Sequence, residues 1–169
     1  MASTTENFMD WLRDAHAMEQ QAEQMFSTTA SRIENYPEMK QRFESHAQAS
    51  RRQADMLRAC IERRGGDTSA LKDMAAKAVA TAQGLSGIFV SDEIVKAAMS
   101  TYTFEHMEIA SYRSLMAAAD AVGDTEVRTV CEQHLAQEEE MADWLEEQLP
   151  LVTRQFLQRS AQPGATAKH

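Results

Sequence analysis

The stretch FEHMEIASY, residues 104–112, places Glu105, His106 and Glu108 in an otherwise apolar helical pattern. Charged side chains are seldom buried unless they are paired or bind a metal ion. Glu105 and Glu108 are one helical turn apart and share a face, with Tyr112 one turn further on. Carboxylate oxygens and imidazole nitrogens suit iron and manganese, so this face could bind such a metal. His106 lies off that face and is expected at the surface.

Residues of the same types recur on other predicted helices, related by an internal repeat. The segment around Glu19 aligns with that around Glu108, and the segment around His46 aligns with that around His134 at nearly the same offset. Glu138 shares a helical face with His134. Two related hairpins packed about a pseudo-twofold axis would bring their midpoints together, so we expect these side chains to converge inside a bundle.

The predicted metal site therefore has six members: Glu19, His46, Glu105, Glu108, His134 and Glu138. A two-metal carboxylate site needs about four carboxylates and two imidazoles. The second helix brings His46 and Gln53 to the centre but no carboxylate. The alternatives are a pair of ions, a single ion, or a cluster held without metal by hydrogen bonds and ion pairs. Glu105 could instead be a hydrogen-bonding partner of His46 or His134.

Four long amphipathic patterns position these residues. Apolar residues recur every three or four positions over residues 6–34, residues 37–64, the segment from an N-cap at Ser91-Asp92 to Val122, and residues 125–158. Pro37 and the pairs Gly65-Gly66 and Gly123-Asp124 separate the patterns. Pro150 should kink or end the fourth helix, with residues 151–158 continuing as a last helical piece.

The second and third helices are joined by a long connector that contains a shorter amphipathic pattern at residues 67–84. Two short turns and one long crossover predict an all-α, ferritin-like four-helix bundle of two antiparallel hairpins, with a short fifth helix in the crossover. We expect a single domain over residues 1–158 and a disordered polar tail over residues 159–169.

The composition of the chain narrows the range of possible functions. The net charge of −9 disfavours binding to nucleic acid or to an anionic membrane surface, because such binding requires clustered Lys and Arg. No apolar run approaches the ~18 residues of a membrane span, and the sequence MASTTENF does not resemble a signal peptide. Cys60 and Cys131 form no CxxC motif and are expected to be reduced core thiols. We therefore expect a cytoplasmic protein.

At FEHMEIASY, DAHAMEQQAE and HLAQEEEMADWL the sequence resembles the YciE/YciF-like family of ferritin-like bacterial stress proteins, over most of residues 5–158. The resemblance implies a homodimer, a di-iron or manganese carboxylate site, and expression alongside stress enzymes such as a manganese catalase. It implies no reaction. The chain departs from the family at Gln48-Ala49-Ser50, where the family carries acidic residues, and at Gln137. These departures put the completeness of the metal site in doubt.

Two hypotheses follow. In the first, a cytoplasmic, homodimeric ferritin-like protein binds iron or manganese, and two bound metals would reduce dioxygen or peroxide. In the second, a non-catalytic stress-linked bundle has lost its metal ligands and acts through a protein partner. A storage cage is a weaker third hypothesis, because it would require specific surface interfaces that the sequence does not display.

Overall fold

The computed structural model of this chain describes residues 2–66 and 93–167. These ranges contain four long helices: α1 (Thr4–Arg32), α2 (Pro37–Arg63), α3 (Glu93–Val122) and α4 (Thr125–Ser160). The described residues include no strand, and the predicted all-α four-helix bundle is confirmed. The short fifth helix predicted in the crossover lies outside the described residues.

The helices pack as two hairpins. α1 lies along α2 and α3 lies along α4, while further contacts join α1 to α3 and α2 to α4. Each helix turns an apolar face inward, as the spacing of three and four residues predicts. Large side chains that are fully buried include Phe8, Phe26, Phe43, Leu57, Leu115 and Leu145. The packed faces also carry the predicted site residues into the interior.

Local sequence sets the helix ends. The Ser3 hydroxyl accepts the backbone N–H of Glu6, and the Glu6 carboxylate accepts the backbone N–H of Ser3, so α1 begins two residues before the predicted start. Pro37 occupies the start of α2, where its missing N–H costs nothing. After α2 and α3, Gly65 and Gly123 have positive φ angles of 73° and 71°, which other residues adopt only with strain.

α4 runs through Pro150 without a break, so the alternative that the helix ends there is wrong. Proline removes one backbone hydrogen bond, and burial of Leu145 before it and Val152 after it keeps both parts packed on the bundle. Beyond α4, the Tyr36 hydroxyl donates a hydrogen bond of 2.7 Å to the carbonyl of Ala167. The single domain over residues 1–158 and the disordered tail stay predictions. In the described ranges, no helix has the length and apolar character needed to cross a bilayer.

Candidate metal centre

All six predicted site residues have buried side chains, and every helix contributes at least one of them. They are Glu19 from α1, His46 from α2, Glu105 and Glu108 from α3, and His134 and Glu138 from α4. Each of the four glutamates is 0% exposed. The structure thus places these carboxylates inside the bundle. Side chains that were scattered and pointed outward would have excluded a shared site.

Four of the six residues converge closely. His46, Glu105, Glu108 and Glu138 each offer a ligand atom, and these atoms all lie within 4.8 Å of one another. Nε2 of His46 is 3.3 Å from Oε1 of Glu105 and 3.3 Å from Oε2 of Glu138. The ring of Phe26 packs edge-on against the His46 imidazole, with centroids 4.6 Å apart, and so limits its orientation.

Two further contacts surround this group of four. The side-chain amide of Gln53 donates a hydrogen bond to Oε1 of Glu138, so α2 holds both oxygens of that carboxylate. Glu105 lies against His46, as it must if it acts as a hydrogen-bonding partner of that histidine instead of as a metal ligand. Its two oxygens have no hydrogen-bond partner among the described residues, so they are also available to a cation. The geometry is therefore compatible with both roles of Glu105.

Glu19 and His134 meet at Tyr112 instead. The Tyr112 hydroxyl donates to Oε1 of Glu19 and lies 3.0 Å from Nδ1 of His134. With the phenol proton in the bond to Glu19, a hydrogen bond between His134 and Tyr112 requires the His134 tautomer that is protonated at Nδ1. Sequence reasoning predicted that Tyr112 could hydrogen-bond a buried carboxylate but did not identify Glu19 and His134 as its partners. The available signal was a tyrosine one turn beyond a buried glutamate.

When ionised, the four carboxylates of the cluster carry more negative charge than the neighbouring positive groups balance. The described residues supply one ion-pair partner to its four carboxylates, His46. Burial, reinforced by the charge of Glu138, raises the pKa of Glu19 well above its usual value, and burial together with Glu19 does the same to Glu108. Burial also raises the pKa of Glu105 to about 7, against the opposing contact with His46. Without a cation, these carboxyl groups therefore keep their protons to higher pH than free carboxyl groups do.

The two imidazoles differ in charge. Burial on its own lowers the pKa of His46, but its close contacts with Glu105 and Glu138 outweigh it and raise the pKa to about 10. Burial lowers the pKa of His134 to about 4, so this ring is neutral near pH 7. His46 is therefore protonated between its two carboxylates, and a metal ion would have to displace that proton to bind its Nε2.

Several buried ligand atoms have no hydrogen-bond partner among the described residues. They are both oxygens of Glu105 and Glu108, one oxygen each of Glu19 and Glu138, and Nε2 of both His46 and His134. Buried polar atoms nearly always have a partner, and leaving one without costs about 1–3 kcal/mol. A cation bound by His46, Glu105, Glu108 and Glu138 would satisfy the atoms that belong to those four residues. Imidazole nitrogen beside carboxylate oxygen is a set of donors that can bind a metal ion.

The departures from the YciE/YciF pattern affect the cluster less than expected. Gln48 and Gln137 are exposed, so they do not enter it. Ser50 is buried, and its hydroxyl donates to the carbonyl of His46 at 3.2 Å. α2 indeed supplies no carboxylate, yet the buried set still contains four carboxylates and two imidazoles, because α3 contributes two glutamates. His106 is exposed as predicted.

Comparisons with known proteins agree with the fold. A protein-family model described as a domain of unknown function, DUF892, matches residues 3–158. A crystal structure of a protein from Xanthomonas campestris pv. campestris is 37% identical, with a TM-score of 0.79, and the match covers 95% of this chain and 100% of that one. YcfI from Rhodopseudomonas palustris is 22% identical with a TM-score of 0.66, covering 86% of this chain and 94% of that one. The latter likeness shows the fold alone.

Proposed function

This chain belongs to the DUF892 family, a domain of unknown function, and from that premise we propose that its buried Glu/His cluster binds divalent iron or manganese. One observation carries the proposal. Four ligand atoms, from three helices, lie within 4.8 Å of one another. The carboxylates of the cluster have oxygens without a hydrogen-bond partner, and their ion-pair partner is His46. A divalent cation would replace the protons that the cluster otherwise retains.

The ion would be held by His46, Glu105, Glu108 and Glu138, and once bound it would supply a redox-active centre shielded from water. Gln53 orients Glu138 through its amide. The resemblance to YciE/YciF-like proteins supports a stress-associated role. The free, buried thiols of Cys60 and Cys131 are consistent with a reducing, cytoplasmic location.

The proposal is tested by metal content. Protein purified without chelator should contain iron or manganese at close to stoichiometric amounts, measured by inductively coupled plasma mass spectrometry. The apoprotein should accelerate aerobic oxidation of added Fe(II), followed by absorbance. Glu138→Gln removes a proposed ligand and should lower metal affinity at least about tenfold.

The neighbouring Glu139 offers a matched control, because it is half-exposed and pairs with Arg113 at the surface. Glu139→Gln changes the same charge one position along the helix and should leave metal content unchanged. Less than a tenth of an equivalent of metal in the unmodified protein, together with no Fe(II) oxidation, would contradict the proposed function.

A second candidate function is a non-catalytic homodimer that acts through protein partners. Trp11 and Met107, 49% and 47% exposed, line a groove between α1 and α3. Exposed apolar side chains grouped in this way are typical of interaction surfaces. Light scattering would report a dimer, and Trp11→Ala should shift it toward monomer. A monomer at all accessible concentrations would exclude the dimeric form of this candidate.

A further inference from the structure

We propose that each chain binds one metal ion, not two, and that Glu19 and His134 lie outside its coordination. This inference rests on the proposed function and specifies the composition of the same site. Six buried acidic and imidazole side chains match the number that a two-metal site requires. Their arrangement, however, divides them into a group of four and a separate pair bound to Tyr112.

The first argument is convergence. Within the described residues, one group of candidate ligands has donor atoms that all lie within 4.8 Å of one another. Its members are His46, Glu105, Glu108 and Glu138. A metal–ligand bond to oxygen or nitrogen is about 2.0–2.2 Å long, so two ligands of one ion lie within about twice that distance. Glu19 and His134 do not join that group, nor do they form a second one with the remaining side chains described.

The second argument concerns Glu138. A carboxylate that bridges two ions uses both of its oxygens, one for each metal. In this chain the Gln53 amide donates to Oε1 of Glu138, which leaves Oε2 to face His46 and the group of four. An amide N–H cannot bind a cation, because it has no lone pair to offer. The hydrogen bond from Gln53 therefore orients Glu138 so that Oε2 is the oxygen that faces the group of four.

The third argument concerns the pair outside the group. Oε1 of Glu19 and Nδ1 of His134 are both occupied by the hydroxyl of Tyr112. Each residue keeps one unpartnered atom, Oε2 and Nε2 respectively. On α2, where a second ion would need a further ligand, Ser50 uses its hydroxyl to bond its own helix. Glu19 and His134 are thus held by Tyr112, and their unpartnered atoms do not belong to the group of four converging donor atoms.

The test is stoichiometry, measured on the full-length apoprotein. Calorimetric titration with Mn(II) should give one equivalent per chain, and the electron paramagnetic resonance spectrum should be that of an isolated ion. His46→Ala should weaken binding at least about tenfold. Glu19→Gln should still bind one equivalent, with circular dichroism and melting temperature confirming that both variants fold.

Two equivalents with a spin-coupled spectrum, one of them lost in Glu19→Gln, would overturn the single-ion site while leaving metal binding itself intact. A full loss of binding in Glu19→Gln would also overturn it, because Glu19 would then be a ligand. No binding of Mn(II) or Fe(II) by the unmodified protein would overturn the proposed function together with this inference. The outcomes therefore separate the two claims.

Discussion

Two buried acidic regions of this bundle have opposite electrostatics. At the α3–α4 turn, Asp124 is 6% exposed, yet it receives hydrogen bonds from Arg63 at 3.1 and 3.2 Å, from Arg64, and from the backbone N–H of Val127 at 3.0 Å. In the cluster that contains Glu108, the described ion pairs involve a single imidazole. Two guanidinium groups pair with one carboxylate at the turn, whereas one imidazole pairs with two of the four carboxylates in the interior.

The pKa values reflect this difference. Burial alone would raise the pKa of Asp124, but the backbone hydrogen bond and the bonds from Arg64 and Arg63 outweigh it and lower the pKa. Burial and the neighbouring carboxylates raise the pKa of Glu108 well above its usual value. Burial of a carboxylate is therefore weak support for a metal site on its own. The informative feature is burial without a guanidinium or ammonium partner.

The largest expected effect on stability comes from neutralising the carboxylate at the turn. Asp124→Asn removes the negative charge but keeps the capping oxygen, and leaves Arg63 and Arg64 without their shared partner. Hydrogen bonds to charged groups contribute about 1.5–3 kcal/mol each, and part of this is lost to solvent at the half-exposed arginines. We expect a loss of about 2 kcal/mol in the free energy of unfolding, measured by urea denaturation.

The same carboxylate-to-amide change in the cluster should have the opposite sign. Without metal at pH 8, the raised pKa of Glu108 means that folding must either bind a proton to its carboxyl or bury its charge beside other carboxylates. Glu108→Gln removes this cost and should stabilise the protein by about 1 kcal/mol. With saturating Mn(II) the variant should be less stable than the unmodified protein, because it has lost a ligand. If both substitutions destabilised the apoprotein equally, the contrast between the regions would be wrong.

The dependence of stability on pH should also differ between the turn at Asp124 and the buried cluster. The pKa of Asp124 is lowered, so its contribution is present above its ordinary value of 3.8 and is lost as the pH falls through the lower folded value. The pKa of Glu105 is raised from 4.5 to about 7, so its contribution is full below 4.5 and is lost as the pH rises through about 7. His46, raised from 6.5 to about 10, likewise loses its contribution as the pH rises.

The apoprotein should therefore melt at its highest temperature in mild acid, at about pH 5, and at progressively lower temperatures toward about pH 8. Added Mn(II) should stabilise the protein more as the pH rises, because fewer protons compete for the ligands. Differential scanning fluorimetry with and without Mn(II) measures both trends. A melting temperature of the apoprotein that rises from pH 5 to 8 would contradict the assignment of protonated carboxyls.

The sequence was sufficient to predict the four helices, because apolar spacing of three and four residues reports burial directly. It also placed Glu19 and Glu108 inside the bundle, since the two hairpins repeat each other. It did not reveal the contacts between distant residues. The link from Tyr112 to Glu19 and the pairing of Asp124 with Arg63 join different helices, and periodicity along one helix carries no information about them.

The smallest expected effect comes from an exposed pair, which shows what pairing contributes without burial. Arg113 lies 2.6 Å from Glu139, with 64% and 44% of their side chains exposed. Water screens such a pair and ordering two flexible side chains costs entropy, so exposed ion pairs contribute about 0–1 kcal/mol. Arg113→Ala should change the free energy of unfolding by less than about 0.5 kcal/mol. A loss in the free energy of unfolding comparable to that of Asp124→Asn would show that ion pairing stabilises this bundle whether or not the pair is buried. The distinction between the two buried regions would then lose its physical basis.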